Sequence, residues 1–558
     1  MNIFITLYKI TIPEPMRRII NNIFSALFIL AFAACKNNSS DTGKKVFNMN
    51  LDQNVTSLDP AFARNQNAIW MINQIFNGLV QVDSALNTIP CIAKTWQIAD
   101  DGLTYTFNLR SDVYFHDHPL FPGGKGPRVV ARDFCYSFYR LIDPKVASSG
   151  GWIFSDKIKD RNSFIALNDS TFQVKLTKPF PAFMNLLTTQ YCSVVPQEIV
   201  EHYGKDFRSH PIGTGPFKFK YWKEDEILVL LKNEHYWEKE GKQQLPYLDA
   251  VKVTFISDKQ SAFMNFIKKE LDYFDKVDGS YRDDILTKSG KMTSKYKGKF
   301  QLRKGAYLCT EYLGILVDTS KVIAKNSPLK YQKIRQAINY AIDKPKLIKY
   351  LRNSIGVPAT SGFIPQGMPG FDSTAVKGYH YEPQKAAKLL AEAGFPNGKG
   401  LPQLTLSTST TYKDLIEFIQ GELAAIGINT RVDVSPNASL RDLISKNGVN
   451  FFRGSWIADY PDGENYMAMF YSRNKVPNGP NYTGYFNQEF DRLFEKSYYE
   501  RDNKKRYLLY QKMDKMIVEY ANVVPILYDQ SLIMTQNNIS GFSLNALNLM
   551  VLKTVKKE

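Results

Sequence analysis

The stretch LPQLTLSTSTTYKDLIEFIQGELAAIGINTRVDV, residues 401–434, limits the possible fold more than any other part of the chain. An alternating strand pattern is followed by apolar residues at helical spacing, by Gly427 as a helix cap, and by a second alternating strand from Ile428 to Val434. The apolar residues of the helix are Leu415, Phe418, Ile419 and Leu423. Because strand, helix and strand in this order build α/β sheets, the stretch predicts an α/β fold.

The alternating strand pattern and the helical spacing both recur elsewhere in the chain. Strands are predicted in LTYTFNLR (Leu103 to Arg110), in TFQVKL (Thr171 to Leu176) and at the start of VKVTFI. Helices are predicted in KIRQAINYAIDKPKLI and in EPQKAAKLLAEAGFPNG, where Pro383 opens the helix and Gly394 ends it. A chain of 558 residues exceeds the usual domain of roughly 100 to 200 residues, so we expect two or three structural units.

The N-terminal sequence MRRIINNIFSALFILAFAAC is typical of an export signal. Met16 is followed by two arginines, by the 12 uncharged residues Ile23 to Ala34, and by Cys35. The apolar run is too short to span a bilayer comfortably, and small residues stand at the predicted cleavage point. We therefore expect residues 1–34 to be a signal peptide, and the position of the pattern suggests Met16 as the true start of translation.

The letters FAAC resemble a bacterial lipobox, in which signal peptidase II cleaves before the cysteine and the thiol carries a lipid. This resemblance implies that Cys35 is lipidated, and the alternative is an ordinary signal peptide with an incidental cysteine. The following residues KNNSSDTGKK are polar and lack apolar periodicity, so residues 35–45 are predicted to form a flexible tether.

The charge of the chain raises the question of a nucleic-acid partner. Lys and Arg number 71 and Asp and Glu 54, which gives a formal charge of +17. The excess is spread among helical apolar positions, as in KVIAKNSPLKYQKIRQ, and no zinc-finger spacing or RNA-binding aromatic signature accompanies it. A solvated basic surface is therefore favoured, and no nucleic-acid partner is expected.

Four cysteines follow the signal region: Cys91, Cys135, Cys192 and Cys309. Their wide spacing excludes a zinc ribbon and a disulfide-dense scaffold, but it leaves one or two disulfides open. Cys135 lies in the helical pattern RDFCYSFYRLI, where we expect a buried free thiol.

The segment FFRGSWIADYPDGENYMAMFYS concentrates the candidate functional groups: Arg453, Trp456, Asp459, Asp462 and Glu464. The three carboxylates allow a hydrolase hypothesis, because glycosidases use a pair of carboxylates about 5 to 10 Å apart. A ligand-capture hypothesis explains more of the segment, because charges of both signs and an aromatic face can bind the charged and apolar groups of a ligand. No GxSxG elbow and no phosphate-loop ending is present in the chain.

A second cluster, FHDHPL, contains His116, Asp117 and His118 and permits a metal hypothesis. No third ligand lies nearby in sequence, so a solvated turn is predicted and no metal or other cofactor is expected.

Several stretches resemble one family, the extracytoplasmic solute-binding proteins of ABC importers, in the peptide-binding family 5 branch. They run in the family's order from Ser57 to Leu493. The matching blocks are SLDPAF with the helix after it, DGLTYTFNLRSDVYFHDH, IGTGPFKF, KIRQAINYAID, AKLLAEAGFPNG, LAAIGINTRVDV, SWIADYPDGENY and NYTGYFNQEFDRL. His118 departs from the family pattern, which usually has glycine at this place, and FPGGKGPRV is an enlarged loop.

The resemblance implies an α/β, two-lobed periplasmic-binding-protein fold that closes about a hinge, with an extra subdomain inserted in lobe one. A ligand stabilises the closed form of such a receptor in proportion to its differential affinity for that form. The implied boundaries are 46–83, 206–305 and 525–558 for lobe one, 84–205 for the extra subdomain, and 306–524 for lobe two.

The resemblance also implies roles for individual residues. Asp459 is the position that pairs with the amino group of the ligand, Arg453 the position that meets its carboxylate, and Trp456 a wall of a side-chain pocket. Gln66 falls in a segment that offers its backbone to the ligand. Asp462 is predicted to shape a turn, and Glu464 to open the next helix near its positive end.

The expected function is a lipoprotein that delivers di- to oligopeptides to an ABC permease and ATPase complex and is not an enzyme. We expect a monomer that the lipid on Cys35 anchors to a bacterial membrane, on the periplasmic side. The alternatives within the fold are a nickel chelate, a glycan or an opine as ligand. The alternatives of another class are a hydrolase using Asp459, Asp462 and Glu464, or a lipoprotein with a structural role.

Overall fold

The computed structural model describes residues 43–277 and 279–558, and these form an α/β protein. The predicted signal peptide, Met16 and Cys35 lie outside the described residues. Within the described ranges, no helix combines the length and the apolar character needed to cross a membrane.

The largest sheet contains the predicted strand, helix and strand unit. Strands Leu404–Ser409 and Thr430–Ser435 are parallel, and helix Lys413–Ala424 connects them, which confirms the prediction. Strand Phe451–Ile457 continues the parallel part on the other side of Leu404–Ser409. The complete order is Tyr273–Phe274, Val523–Thr535, Gln301–Ile315, Phe451–Ile457, Leu404–Ser409 and Thr430–Ser435, with Val357–Pro358 paired to Val523–Thr535.

A second sheet is formed by Val46–Leu51, Ala250–Phe255, Ile227–Lys232 and Phe217–Lys223, in that order. Its first pair is parallel and the other pairs are antiparallel. The parallel pair joins the beginning of the described chain to residues about 200 positions later.

A third, antiparallel sheet contains Ala93–Ile98, Thr104–Leu109, Thr171–Lys175 and Phe164–Asn168, in that order. Two of these strands confirm the alternating patterns of the sequence, and helix Ala131–Ile142 confirms the helical pattern around Cys135. Apolar residues of this sheet share one continuous core with those of the second sheet, which include Phe47 and Val251.

Two long antiparallel strands, Gln301–Ile315 and Val523–Thr535, connect the parts of the protein. Ile526 and Leu527 pack in the core of the largest sheet and its helices, whereas Ile533 packs in the core of the second sheet. The pairing is interrupted between Ala306 and Thr310. The boundaries predicted at 305 and 525 fall inside these strands, and the division into lobes by residue number stays a prediction.

The other regular elements surround these sheets. The α-helices are Gln66–Ile75, Phe183–Leu186, Gln197–Tyr203, Lys259–Ile267, Gly279–Ile285, Val322–Lys325, Gln332–Ala341, Lys344–Arg352, Pro383–Glu392, Asn437–Ser445, Glu464–Met467, Gln488–Ser497 and Asn503–Tyr520. Short paired strands are Val80–Val82 with Thr88–Pro90, Lys239–Glu240 with Gln243–Gln244, and Ile539–Ser540 with Lys556–Lys557. The helices predicted in KIRQAINYAID and in EPQKAAKLLAEAG are thereby confirmed.

The structure corrects the prediction that FHDHPL forms a solvated turn. His116 is buried and not solvated, because its ring fills a site between backbone groups of the segment after residue 212. The N–H of Gly213 donates to Nδ1 over 3.4 Å, so Nε2 carries the hydrogen and donates to the carbonyl of Gly215 over 3.0 Å. His118 lies closer to the surface and contacts Tyr203.

The cysteines of the described chain are free thiols. Cys91, Cys192 and Cys309 are buried, and Cys135 is half-buried in helix Ala131–Ile142. Burial raises the pKa of Cys135 to about 11, so this thiol is a poor nucleophile at neutral pH.

Candidate ligand-binding site

Asp459 lines a cavity of about 340 Å³ that separates two differently packed parts of the protein. Residues 63–66 and 188–191 form one wall, and residues 457–459 form the opposite wall. Ala63 belongs to the core shared by the second and third sheets, whereas Ala458 belongs to a core built on helix Asn503–Tyr520. The cavity volume lies near the lower end of the range of roughly 300 to 1,000 Å³ that is typical of ligand sites.

The position of Asp459 follows from the sheet. Phe451–Ile457 is parallel to Leu404–Ser409, and Asp459 comes directly after its carboxyl end. In open α/β sheets, ligands bind outside the carboxyl ends of the strands. The end of the strand FFRGSWI at Ile457 therefore fixes the place at which the aspartate leaves the sheet.

The carboxylate of Asp459 is exposed within the cavity and has a polar partner. The side-chain amide of Asn465 donates to Oδ2 of Asp459 over 3.5 Å. Desolvation by the surrounding walls raises the pKa of Asp459 above the usual 3.8, and the Asn465 hydrogen bond acts against this effect. The site thus holds an anion that a cationic ligand would stabilise.

Trp456 is connected to the aspartate through Asn465. Its indole N–H donates to Oδ1 of Asn465 over 2.9 Å, which leaves the Asn465 amide group pointing to Asp459. Asn465 is buried at the start of helix Glu464–Met467. Sequence reasoning missed Asn465, and the only signal for it was its spacing of six residues from Asp459 at a helix start.

Asp462 and Glu464 face the protein interior, and both support the turn and helix that were predicted for them. Asp462 Oδ1 accepts from the N–H of Glu464 over 3.0 Å, and Oδ2 pairs with Arg506 over 3.0 Å. Glu464 accepts hydrogen bonds from the hydroxyls of Tyr460 and Tyr498. Burial raises the pKa of Glu464.

Gln66 lies on the wall opposite Asp459, so the fold brings these two predicted residues to one cavity. It is the first residue of helix Gln66–Ile75, whose N-cap is Asn65. The side-chain amide of Gln66 donates to the carbonyl of Asn548 over 2.9 Å.

Arg453 and Trp456 are not among the described residues that line this cavity. Arg453 lies earlier on strand Phe451–Ile457, is buried, and pairs with Glu311 on the neighbouring strand Gln301–Ile315. Its guanidinium carbon lies 3.1 Å from the centre of the Tyr412 ring. The charge of Arg453 is therefore balanced within the protein.

Cys309, Glu311 and Asp529 form a candidate metal-ligating group whose ligand atoms lie within 4.8 Å of one another. Arg453 pairs with Glu311, and Arg352 pairs with Asp529 over 2.5 Å. Burial raises the pKa of Cys309 well above its usual value, which disfavours the thiolate that a metal requires. Two arginines and a protonated thiol make this group unsuited to a cation.

Comparison with protein families identifies the chain. The model of the middle part of bacterial extracellular solute-binding proteins, family 5, matches residues 87–478. The chain belongs to this family. Its members are solute-binding proteins, so the resemblance seen in the sequence blocks is confirmed.

Relatives of this family 5 solute-binding protein cover nearly its whole length. The dipeptide-binding protein DppE of Bacillus subtilis (strain 168) is 26% identical over 540 residues, which are 92% of this chain and 92% of the relative. The glutathione-binding protein GsiB of Shigella flexneri serotype 5b (strain 8401) is 24% identical over 88% of this chain and 90% of the relative.

Solved structures share the fold. The periplasmic binding protein DppA from Helicobacter pylori, in complex with the peptide STSA, is 26% identical and superimposes with a TM-score of 0.74, covering 92% of this chain and 98% of that chain. HbpA2 from Haemophilus parasuis is 22% identical, with a TM-score of 0.79 and coverages of 92% and 100%. The two-lobed periplasmic-binding-protein fold expected from the sequence is therefore confirmed.

Proposed function

We propose that this family 5 solute-binding protein captures di- to oligopeptides in the cavity that Asp459 lines and delivers them to an ABC permease and its ATPase. The observation that carries the proposal is an aspartate without a basic partner among the described residues, held on the wall of a cavity between two cores. Relatives of similar length are named for a dipeptide and for glutathione, and DppA was solved with a peptide.

The chemistry of Asp459 supports a ligand with a free amino group. A peptide has an N-terminal ammonium that cannot enter a cavity without a counter-ion, since an unpaired buried charge costs several kcal/mol. Asp459 supplies a single negative charge, and Asn465 fixes its orientation through a neutral hydrogen bond. Asn465 is uncharged and does not neutralise the aspartate, so the charge of Asp459 is available to the ligand.

Trp456 and Gln66 have supporting roles in this proposal. Trp456 holds Asn465 and thereby positions Asp459, in addition to the side-chain pocket role expected from the resemblance. Gln66 lines the cavity, and its hydrogen bond to Asn548 holds the start of helix Gln66–Ile75 next to the ligand. Extended peptide backbone is then satisfied by backbone groups of the walls, which accept many side chains.

The role of Arg453 at the ligand carboxylate stays a prediction. Glu311 already occupies the guanidinium, so a ligand carboxylate must compete with it. If Arg453 has this role, Glu311→Gln strengthens the binding of short peptides by freeing the guanidinium, and blocking the peptide carboxylate as an amide removes the gain. Unchanged binding with Glu311→Gln would show that Arg453 supports the fold and not the ligand.

The proposal includes the cellular arrangement expected from the sequence. Residues 1–34 are removed as a signal peptide, Cys35 carries the lipid, residues 35–45 tether the protein to a bacterial membrane on the periplasmic side, and the receptor acts as a monomer. Lobe one comprises 46–83, 206–305 and 525–558, the extra subdomain 84–205, and lobe two 306–524. Metabolic labelling with a fatty-acid analogue and its loss in Cys35→Ala test the anchor.

The arrangement of the carboxylates supports a receptor that is not an enzyme. A hydrolase would need a second carboxylate near Asp459, but Asp462 is paired with Arg506 and Glu464 is bound by two tyrosine hydroxyls. Asp459 is thus the only one of the three predicted carboxylates that lines the cavity.

Calorimetric titration with di- to pentapeptides tests the proposal. We expect binding of free peptides to the wild-type protein and a sharp loss of affinity with Asp459→Ala. Turnover of a peptide or glycoside would favour the hydrolase, and binding of an opine, a glycan or a nickel chelate with no binding of peptides would overturn the assigned ligand class.

A further inference from the structure

A second cavity, of about 270 Å³, adjoins the one that Asp459 lines. The residues that line both cavities are Val82, Thr188, Thr189, Gln190 and Leu549. We call the second one the side cavity. A ligand whose amino group lies at Asp459 can therefore place a side chain near its amino end in the side cavity.

Hydroxyl groups at the wall of the side cavity are oriented by the backbone. Each hydroxyl donates its hydrogen to a carbonyl three residues earlier in the chain. The bonds run from Thr188 to Asn185 (2.7 Å), from Thr189 to Leu186 (2.8 Å) and from Ser193 to Gln190 (2.7 Å). Since a hydroxyl has one hydrogen and two lone pairs, these groups present acceptors to the cavity.

Three charged side chains line the side cavity in the described chain: Lys553, Glu238 and Asp83. The ammonium of Lys553 lies 2.5 Å from Oε2 of Glu238 and 2.8 Å from the side-chain oxygen of Gln81. The carboxylate of Asp83 accepts from Asn87 and from the N–H of Ala85. A ligand anion would meet Asp83 and no free cation there, and a ligand cation would meet the ammonium of Lys553, so an uncharged polar group fits the side cavity best.

We propose that the side cavity is a specificity site for a neutral hydrogen-bond donor carried near the amino end of the peptide. Two sources share this chemistry: the carboxamide of a glutamine or asparagine side chain, and the hydroxyls of a sugar attached to the peptide. The inference rests on the proposed peptide-binding function and adds the class of side chain that the receptor prefers.

Tripeptides of alanine with one variable position test the preference. Gln, Met and Glu at that position have similar length but differ in donor capacity and charge, and a glycosylated serine represents the sugar. At one of the three positions we expect Gln or the glycosylated residue to bind roughly fivefold to tenfold more tightly than Met, which corresponds to one or two hydrogen bonds. Glu binds more weakly than Gln at the same position.

A variant of Lys553, which pairs with Glu238, gives a second readout that does not depend on overall stability. In Lys553→Met the Glu238 carboxylate loses its cationic partner. A tripeptide with Lys at the variable position, which binds more weakly than the Gln tripeptide in the wild-type protein, therefore binds more tightly than it in this variant. Lys556→Met is the matched control, because Lys556 lies on the short strand beside Tyr247 and does not line either cavity in the described chain. The control keeps the wild-type order.

The outcomes separate the two proposals. If trialanine binds but Gln, Met, Glu and the glycosylated residue bind equally at all three positions, the side-cavity inference is wrong and the peptide function stands. If Lys553→Met leaves the order unchanged, the side cavity does not receive the ligand. If no peptide binds the wild-type protein, the proposed function and this inference both fail.

Discussion

The proposed pairing of Asp459 with the ligand amino group leads to a quantitative prediction. Two unit charges 4 Å apart attract by about 4 kcal/mol at an effective dielectric constant of 20. The Asp459 carboxylate is exposed within its cavity, which weakens the attraction, whereas closure of the lobes removes water and strengthens it. We expect a coupling of about 3 kcal/mol, or roughly 150-fold in Kd.

A double-mutant cycle measures this coupling. Trialanine and N-acetyl-trialanine are titrated calorimetrically against the wild-type protein and against Asp459→Asn, which keeps the size of the side chain and its ability to accept from Asn465. The wild-type protein with the free peptide should bind roughly 150-fold more tightly than the other three combinations, which should differ little among themselves.

A control and a clear negative outcome accompany the cycle. Asp442 is exposed and pairs with Lys446 on helix Asn437–Ser445, so Asp442→Asn removes the same charge without touching the cavity and should leave both affinities unchanged. If acetylation costs the wild-type protein no affinity, or costs Asp459→Asn as much as the wild type, the amino group does not bind at Asp459.

Other predictions follow from the same site and its support. Because desolvation raises the pKa of Asp459, the affinity for free peptides should fall with decreasing pH already above pH 3.8, and titrations of acetylated peptides should lack this dependence. Asn465→Leu should weaken binding of free peptides by roughly tenfold by releasing Asp459 and Trp456, and Asn465→Asp should weaken it less if it restores the Trp456 bond, as calorimetry can determine. Asp462→Ala should lower the free energy of unfolding by about 3 to 5 kcal/mol by leaving Arg506 buried without its partner, which urea unfolding measures; a loss below about 1 kcal/mol would contradict the buried pair. Burial lowers the pKa of His116 from 6.5 to about 4, so the unfolded chain binds a proton that the folded protein does not, and stability should fall by up to about 3 kcal/mol as the pH drops from 6.5 to 4. Urea unfolding of His116→Gln should show a smaller loss over that range, and an equal loss would refute the assignment.

The regular elements were predictable because their information is local. The alternation in TFQVKL and the helical spacing in KIRQAINYAID depend only on which face of a strand or helix is buried, and both elements are found as predicted. His116 was misjudged for the opposite reason. Its burial depends on Gly213 and Gly215, which lie about 100 residues away in sequence and approach it only in the folded protein.

The resemblance assigned Arg453, Trp456 and Asp459 to the ligand and Asp462 and Glu464 to the turn and helix, but it did not say which charges are already paired. The tertiary structure separates them by what lies opposite each one. Glu311 on the neighbouring strand pairs with Arg453, and Arg506, 44 residues later, pairs with Asp462. Asp459 lines a cavity, and its hydrogen-bond partner among the described residues is the neutral Asn465. Such partners come from distant parts of the chain, so no local sequence pattern predicts them.

The sequence by itself determined the α/β class, the order of the elements, the family and the residue at which a ligand charge is expected. Only the tertiary structure decided which charges are already neutralised, that Asn465 orients the aspartate, and that a side cavity with hydroxyl acceptors adjoins the site. The physical reason is that a period in the sequence reports burial of one face, whereas the balance of charge and hydrogen bonds at a site depends on contacts between residues far apart in the chain.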